Sequence, residues 1–334
     1  MQYRQLGQSG LRISTISLGS WLTYGMGTAD TEARHCLDAA LDGGINFLDT
    51  ADVYNQGAAE RVIGQYLKGR SRQHIVLATK AYFPMGEHWM DRGLSWRYVA
   101  QACDASLERL QTDWIDLYQC HRYDTDTPLE EVCFGMNQLI QQGKIRYWGV
   151  SQWTGVQIVN AIRICERNGW RKPISNQPIY NMLNRSLEVD VMQVCADEGL
   201  GLVVYSPLAQ GILSGKYQSA SDLPPDSRAG AEVTASWFNH KRLTEDNFHK
   251  LDELRPIAAE LDITLAQLAL AWTLRVSPVT SAITGASRVS QVTENLAAAN
   301  VQLSAEVQTQ IEAILQNAPI DQYSGARVGW GGVA

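Results

Sequence analysis

The chain has 334 residues, of which 45% are apolar and 19% charged, and its formal net charge is −7. That composition supports a large buried core, and the acidic balance argues against a nucleic-acid partner, because surfaces that hold nucleic acid are usually basic. No run of about 18 apolar residues occurs, so no membrane insertion is expected, and the opening Met1-Gln2-Tyr3-Arg4-Gln5-Leu6 lacks the apolar centre of a secretory signal.

A short apolar run followed by an amphipathic helical stretch recurs along the chain. Beyond a short N-terminal hairpin the runs are Ile16-Ser17-Leu18-Gly19, Ile45-Asn46-Phe47-Leu48-Asp49, Ile75-Val76-Leu77-Ala78-Thr79-Lys80 and Ile115-Asp116-Leu117-Tyr118. They continue with Tyr147-Trp148-Gly149-Val150-Ser151, Ile174-Ser175-Asn176-Gln177, Leu202-Val203-Val204-Tyr205 and Ser281-Ala282-Ile283-Thr284. The alternation predicts an α/β chain with a parallel sheet, and eight repeats of it predict one closed (β/α)8 TIM barrel domain over residues 1–334.

The helices carry their own stop and start signals. From Asp30, the side chains of Ala33, Leu37, Ala40 and Leu41 fall on one face, and Gly43-Gly44 ends the helix. Thr127-Pro128-Leu129-Glu130 predicts a Thr N-cap, a proline at the first helical position and a capping-box glutamate. Thr154 with Gln157 and Thr264 with Gln267 predict the same box. Residues 214–245, with Pro224-Pro225 and little periodicity, predict a long loop after the seventh strand, a length associated with lids. Residues 317–334 predict a glycine-rich polar tail.

The six cysteines, Cys36, Cys103, Cys120, Cys133, Cys165 and Cys195, form no C-x-x-C pair and match no zinc spacing. They predict buried, reduced thiols in a cytoplasmic protein without a metal.

In a β/α barrel, polar residues at the C-terminal ends of strands face the active-site mouth. The second strand ends in Asp49, with Tyr54 in the loop beyond; the third ends in Lys80; the fourth runs into His121. A free phenol ionises near pH 10, and a neighbouring ammonium favours the phenolate. The expectation is therefore that Lys80 acidifies Tyr54, that Asp49 keeps Lys80 charged, and that His121 orients a substrate oxygen, giving a general acid for a carbonyl receiving a hydride. Each residue alone has a plainer explanation: a turn cap, a packed aromatic, a rim ion pair and a satisfied polar ring. Their convergence from neighbouring strands is what points to chemistry.

A hydride donor is then required, and no Rossmann G-x-G-x-x-G follows any strand. Gly285-Ala286-Ser287-Arg288, leading into a helix from Val289 to Ala299, offers an anion site at a helix N-terminus with a guanidinium beside it. An ordinary serine cap with a solvated arginine remains the alternative on those residues alone. Trp21, Tyr54, Tyr82, Phe83, Trp89 and Trp153 lie near strand ends and suggest an apolar funnel, with the loop from Tyr82 to Arg92 setting specificity.

Together these segments resemble the aldo-keto reductase family over nearly the whole chain. The resemblance is carried by Gly7-x-Ser9-Gly10-Leu11, Asn46-Phe47-Leu48-Asp49-Thr50-Ala51-Asp52-x-Tyr54, Ala78-Thr79-Lys80, Ile115 to His121, Gly149-Val150-Ser151, Tyr205-Ser206-Pro207-Leu208, and Gly285-Ala286-Ser287 with Glu294-Asn295. Gly93-Leu94-Ser95, the run from Ser206 to Tyr217 and Ser227-Arg228-Ala229 look most like the branch containing the potassium-channel β subunits and their bacterial relatives. The resemblance implies a catalytic tetrad of Asp49, Tyr54, Lys80 and His121 with NADPH as cofactor. It implies that Tyr205 stacks under the nicotinamide, that Ser151, Gln152 and Gln177 hold the carboxamide, and that Gly19, Ser20 and Trp21 form the adjacent rim. Ser206, Pro207, Leu208, Gly211 and Ser214 would line the pyrophosphate path, covered by Lys216 and Arg228. Gly285, Ser287, Arg288 and Gln291 would meet the adenosine phosphate, with Glu294 and Asn295 at the adenine. A contact from Arg288 to the 2′-phosphate would favour NADPH over NADH.

Three positions depart from the pattern. Gln152 stands where many relatives have Asn, Thr284 where many have Pro, and His121 where the channel β subunits usually have Asn. The histidine favours a working reductase of small-molecule carbonyls. The resemblance also admits a homo-oligomer and an NADPH-binding regulatory subunit with slow turnover. An aldolase using Lys80 as a Schiff base is a third alternative, and Tyr54 and the phosphate helix fit it poorly.

Overall fold

The computed structural model describes residues 1–26, 28–317 and 319, so the expected tail lies almost wholly outside the described residues. The strands are β1 (Tyr3–Gln5), β2 (Arg12–Ser14), β3 (Ile16–Gly19), β4 (Phe47–Asp49), β5 (Val76–Ala81), β6 (Ile115–Cys120), β7 (Ile145–Ser151), β8 (Ser175–Gln177), β9 (Gly201–Val204) and β10 (Val279–Gly285). The helices are α1 (Asp30–Asp42), α2 (Ala58–Leu67), α3 (Trp96–Leu110), α4 (Leu129–Gln141), α5 (Gly155–Asn168), α6 (Val191–Glu198), α7 (Glu232–Ala235), α8 (Glu245–Glu260), α9 (Leu265–Leu274), α10 (Val289–Ala297) and α11 (Ala305–Leu315). Strands β3 to β10 are parallel and close into a barrel, with β10 pairing β3, as the eight apolar runs predict.

Strand alternation builds two cores. Phe47, Val76, Ala78, Leu117, Val203 and Ile283 point inward and fill the barrel, while residues of the opposite parity such as Leu48, Leu77 and Tyr118 meet the surrounding helices. The β1–β2 hairpin plugs the N-terminal end, where Leu6 and Ile13 join the inner core. Gly7 makes that plug fit: its φ is +58°, and a Cβ there would stand 2.3 Å from the Gly199 carbonyl oxygen. With its bottom sealed, the barrel opens at the C-terminal ends of the strands.

Thr154 and Thr264 each form the predicted capping box with Gln157 and Gln267. The box predicted at Thr127 does not form. Pro128 itself takes the N-cap position; Thr127 donates to Asp124 Oδ2 at 2.7 Å, and Glu130 reaches Arg167 instead. A buried carboxylate that already accepts from the Leu94 N–H thus captures the hydroxyl the helix would have used. The long stretch after β9 is not featureless: it holds α7 and a turn of 3-10 helix at His240–Arg242 before α8 begins. No single helix among the described residues is long and apolar enough to cross a membrane.

Candidate active site

Parity and register place the first three polar residues. On β5, Val76 and Ala78 face inward, so Lys80 does too, whereas Thr79 faces outward and donates to Glu60 on α2 at 2.6 Å. Asp49 pairs with Gly19 on one side and Ala78 on the other. Beyond Asp49 the Thr50 and Asp52 N–H groups still pair with the Ala78 and Lys80 carbonyls, which holds the loop against β5 and returns Tyr54 over the lysine. The His121 N–H likewise pairs with the Ala81 carbonyl.

Lys80 is fully buried, and its ammonium donates to Asp49 Oδ2 at 2.7 Å, to the Thr50 carbonyl at 2.8 Å and to Tyr54 Oη at 3.3 Å. Asp49 Oδ1 accepts from Gln177 at 2.8 Å and Gln119 at 3.4 Å. The carboxylate is thus fixed from both sides, as a buried ion pair requires. The His121 ring lies 5.7 Å from that of Tyr54, with Phe83 4.9 Å beyond it.

The electrostatics correct one expectation. Burial, followed by the charge of Asp49, pushes the Tyr54 phenol well above its usual range. Burial also pulls the Lys80 ammonium down against the opposing pull of Asp49. The nearby ammonium of Lys80 does not offset that burial. Tyr54 therefore holds its proton at neutral pH. Burial and the nearby charges of Lys80 and Arg122 keep His121 neutral, pulling its ionisation well below the usual value, and its Nδ1 is buried without a partner. A neutral imidazole offers one donor and one acceptor. A protonated phenol, a neutral imidazole and a lysine whose charge is internally compensated can grip and protonate a neutral oxygen acceptor.

A model described as the aldo/keto reductase family matches residues 15–316. The chain belongs to that family. It is 40% identical over 324 residues to a probable voltage-gated potassium channel subunit beta of Oryza sativa subsp. japonica, covering 96% of this chain and 98% of that protein. It is 41% identical to the protein of the same description from Arabidopsis thaliana, over the same shares. As an aldo/keto reductase the chain is an oxidoreductase, of a family that generally binds NADP(H).

The residues around the mouth of this aldo/keto reductase suit such a polyanionic dinucleotide. Partial burial and the guanidiniums of Arg228 and Arg288 pull the Lys216 ammonium down, with Asp226 opposing. Burial lowers Arg228 and Arg242, and Arg242 Nη1 is buried without a partner. These cations outnumber the nearby acids, the arrangement expected where phosphates bind. Tyr205 accepts a hydrogen bond from Gln152, and Ser151 donates to the Gln177 carbonyl at 2.9 Å. Ser206 and Gln152 have φ of 52° and 59°, which bends the backbone at the ends of β9 and β7 away from the strand direction. Ser20 donates to Thr50 at 2.8 Å. Ser214 donates to the Gly211 carbonyl at 2.7 Å, closing the turn after Leu208.

At the far end, Arg288 rather than Ser287 occupies the N-cap of α10, and no side chain caps it. The Ser287 N–H and hydroxyl both turn to Gln291 Oε1. The N-terminus of α10 is left without a side-chain cap, and the exposed Arg288 guanidinium beside it donates to Asp226 at 3.3 Å, a pair that an anion would have to displace. Glu294 and Asn295 follow on the same helix, and Asn295 is buried.

Of the expected pocket aromatics, Trp21 lies 6.5 Å from Tyr54, and Tyr82 packs on Phe83 at 5.2 Å. Trp89 and Trp153 are not brought to this group: Trp89 is 71% exposed beside His88, and Trp153 is buried against Tyr123. Trp237 was missed in the sequence. It packs edge-on to Trp21 at 6.4 Å, and Arg228 covers the same indole at 5.2 Å. Nothing in the aperiodic run around Trp237 marks its place. Gln119, which supports Asp49, was legible from its inward parity on β6.

Proposed function

We propose that this chain catalyses the NADPH-dependent reduction of aldehydes or ketones to alcohols, with Tyr54 as the proton donor. The carrying observation is that Lys80 Nζ bridges Asp49 Oδ2 and Tyr54 Oη beneath a neutral His121. When bound, a nicotinamide cofactor would supply the hydride. Arg228, Arg242, Lys216 and Arg288 would hold its phosphates, and Tyr205, Ser151, Gln152 and Gln177 would position the nicotinamide end. His121 donates a hydrogen bond that orients the carbonyl oxygen. Tyr54, held protonated by burial, gives its proton as negative charge develops on that oxygen, and its phenolate is met by the Lys80 ammonium at once. Asp49 holds that ammonium in place. The rim formed by Trp21, Phe83 and Trp237 favours an apolar carbonyl substrate. The unpaired cysteines support a reducing, cytoplasmic setting.

The alternative is a nicotinamide-binding regulatory subunit with slow turnover, as the descriptions of the two plant relatives suggest. Steady-state oxidation of NADPH across aldehydes, ketones and quinones separates the two. Turnover in the ordinary enzymatic range of about 1 per second or faster supports the reductase; tight cofactor binding with turnover orders of magnitude slower for every substrate supports the subunit.

A further inference from the structure

Arg122 follows His121 just beyond β6 and is half-buried. Its Nη1 donates to the His121 carbonyl at 2.6 Å, and its guanidinium lies over the Phe83 ring, 5.3 Å from the centroid. Phe83 in turn packs edge-on against the His121 ring at 4.9 Å. The charge is close enough to act on Tyr54, Lys80 and His121. No carboxylate among the described residues pairs with it. Its Nε and Nη2 make no hydrogen bond, and neither is enclosed. A permanent cation thus stands beside the tetrad with one edge free and open to solvent.

The geometry of that edge selects what it binds. A guanidinium holds its N–H donors in a fixed planar fork. Because the His121 carbonyl takes Nη1, the edge formed by Nε and Nη2 is left, and its two parallel donors match the two oxygens of a carboxylate. The acids that follow in the chain are otherwise placed. Asp124 accepts from the Leu94 N–H, the Asp126 N–H and the Thr127 hydroxyl, and Asp126 is exposed. The backbone carbonyl and the aromatic face hold the arginine in position, so little rotamer freedom is lost when an anion arrives.

We propose that Arg122 recognises a carboxylate on the substrate, so that the preferred compounds are aldehydes or ketones carrying an acid group across an apolar spacer. The inference rests on the reductase reading above and names its substrate class. His121 takes the carbonyl oxygen and Arg122 the acid. Phe83 touches both side chains, so the atoms between the two ends lie against its ring. A benzene ring or a few methylenes suit that contact. The two ends are not interchangeable. A neutral imidazole and a protonated phenol suit a neutral carbonyl, whereas the permanent charge of Arg122 suits an anion. Arg122 sets specificity and takes no part in the proton transfer.

The test compares meta- and para-carboxybenzaldehyde with the matching formylbenzamides, their neutral near-isosteres, as substrates of the full chain with NADPH. For the better isomer the acid should have a kcat/KM at least about tenfold above its amide, chiefly through KM. In Arg122→Gln, whose amide can still donate to the His121 carbonyl, that ratio should fall about 10- to 100-fold, the range of a charged hydrogen bond. Arg122→Lys, which keeps the charge and loses the fork, should fall in between. Ratios near one for both isomers in the unaltered chain, or a ratio unchanged in a folded Arg122→Gln, would overturn the proposal. If Arg122→Gln does not fold, the salt dependence of the unaltered chain decides: the ratio should drop as salt screens the pair, and a ratio indifferent to salt counts against it. If no aldehyde is turned over, the reductase reading fails by itself. Calorimetric titration of the hydroxymethylbenzoates and their amides in the presence of NADP+ then decides the present inference. A preference for the acid that is lost in Arg122→Gln sustains it, and equal affinities overturn it.

Discussion

The Lys80 ammonium lies 3.3 Å from the Tyr54 hydroxyl, yet its charge is answered by Asp49 at 2.7 Å on its other side. Burial, followed by the charge of Asp49, holds the proton on the phenol, and in the proposed reaction the lysine would act on the phenolate that remains after transfer. Removing the hydroxyl removes the proton but little of the surroundings. Tyr54→Phe should lower kcat for aldehyde reduction by about 100-fold to 10,000-fold, the range of a general acid. NADPH binding, followed by quenching of protein fluorescence, should change by less than about threefold. Full activity in this variant would exclude Tyr54 as the donor.

The same ion pair governs stability. Asp49 and Lys80 are both buried, so deleting one partner strands the other's charge. Asp49→Ala should cost about 3–5 kcal/mol in denaturant unfolding. Adding Lys80→Met to Asp49→Ala should recover part of that loss, since the stranded ammonium is then gone. A double variant less stable than Asp49→Ala alone would mean that the lysine is held chiefly by the Thr50 carbonyl.

His121 is kept neutral by burial and by the charges of Lys80 and Arg122. Its ionisation therefore falls below the ordinary histidine range near pH 6.5. The pH profile of kcat/KM should show no histidine inflection between about pH 6 and 8. An inflection near pH 6.5 that disappears in His121→Asn would place a protonated imidazole in the mechanism.

Much of this was legible in the sequence where periodicity carried it. The alternation on β5 puts Lys80 inside and Thr79 outside before any coordinate is known. The capping boxes at Thr154 and Thr264 were equally local and equally readable. What escaped depended on distant partners. Asp124 draws Thr127 away from its helix, and Trp237 reaches Trp21 across an aperiodic loop. The ionisation of Tyr54 is set by burial and by Asp49, which spacing along the chain does not reveal.

Arg288 pairs with Asp226 at 3.3 Å, and both side chains are more than half exposed. Such a pair contributes little to stability, but it competes with any phosphate that Arg288 receives. Arg288→Ala should weaken NADPH by about 10- to 100-fold and NADH by much less, from the loss of charge-assisted hydrogen bonds. Asp226→Asn should tighten NADPH by about twofold to fivefold while leaving Tm nearly unchanged. Equal losses for both cofactors in Arg288→Ala would remove the 2′-phosphate contact.

Asp52 gives the chain a pH dependence of stability opposite to that of an ordinary salt-bridged carboxylate. Its folded-state ionisation lies at about 8, against about 3.9 in an unfolded chain. Between those values the folded state holds a proton that the unfolded state has released. Stability from this group is therefore complete below about pH 4 and is lost as pH rises toward 8. Asp52→Asn keeps the shape and stays neutral, so it removes that loss. Across about pH 5 to 8 the variant should gain on the original chain by up to roughly 4 kcal/mol, in urea unfolding at each pH. The gain should be smallest at the acid end, where both side chains are uncharged. A difference that stays constant with pH would show that Asp52 is already ionised at pH 5, with its charge met by Arg109 or Lys80.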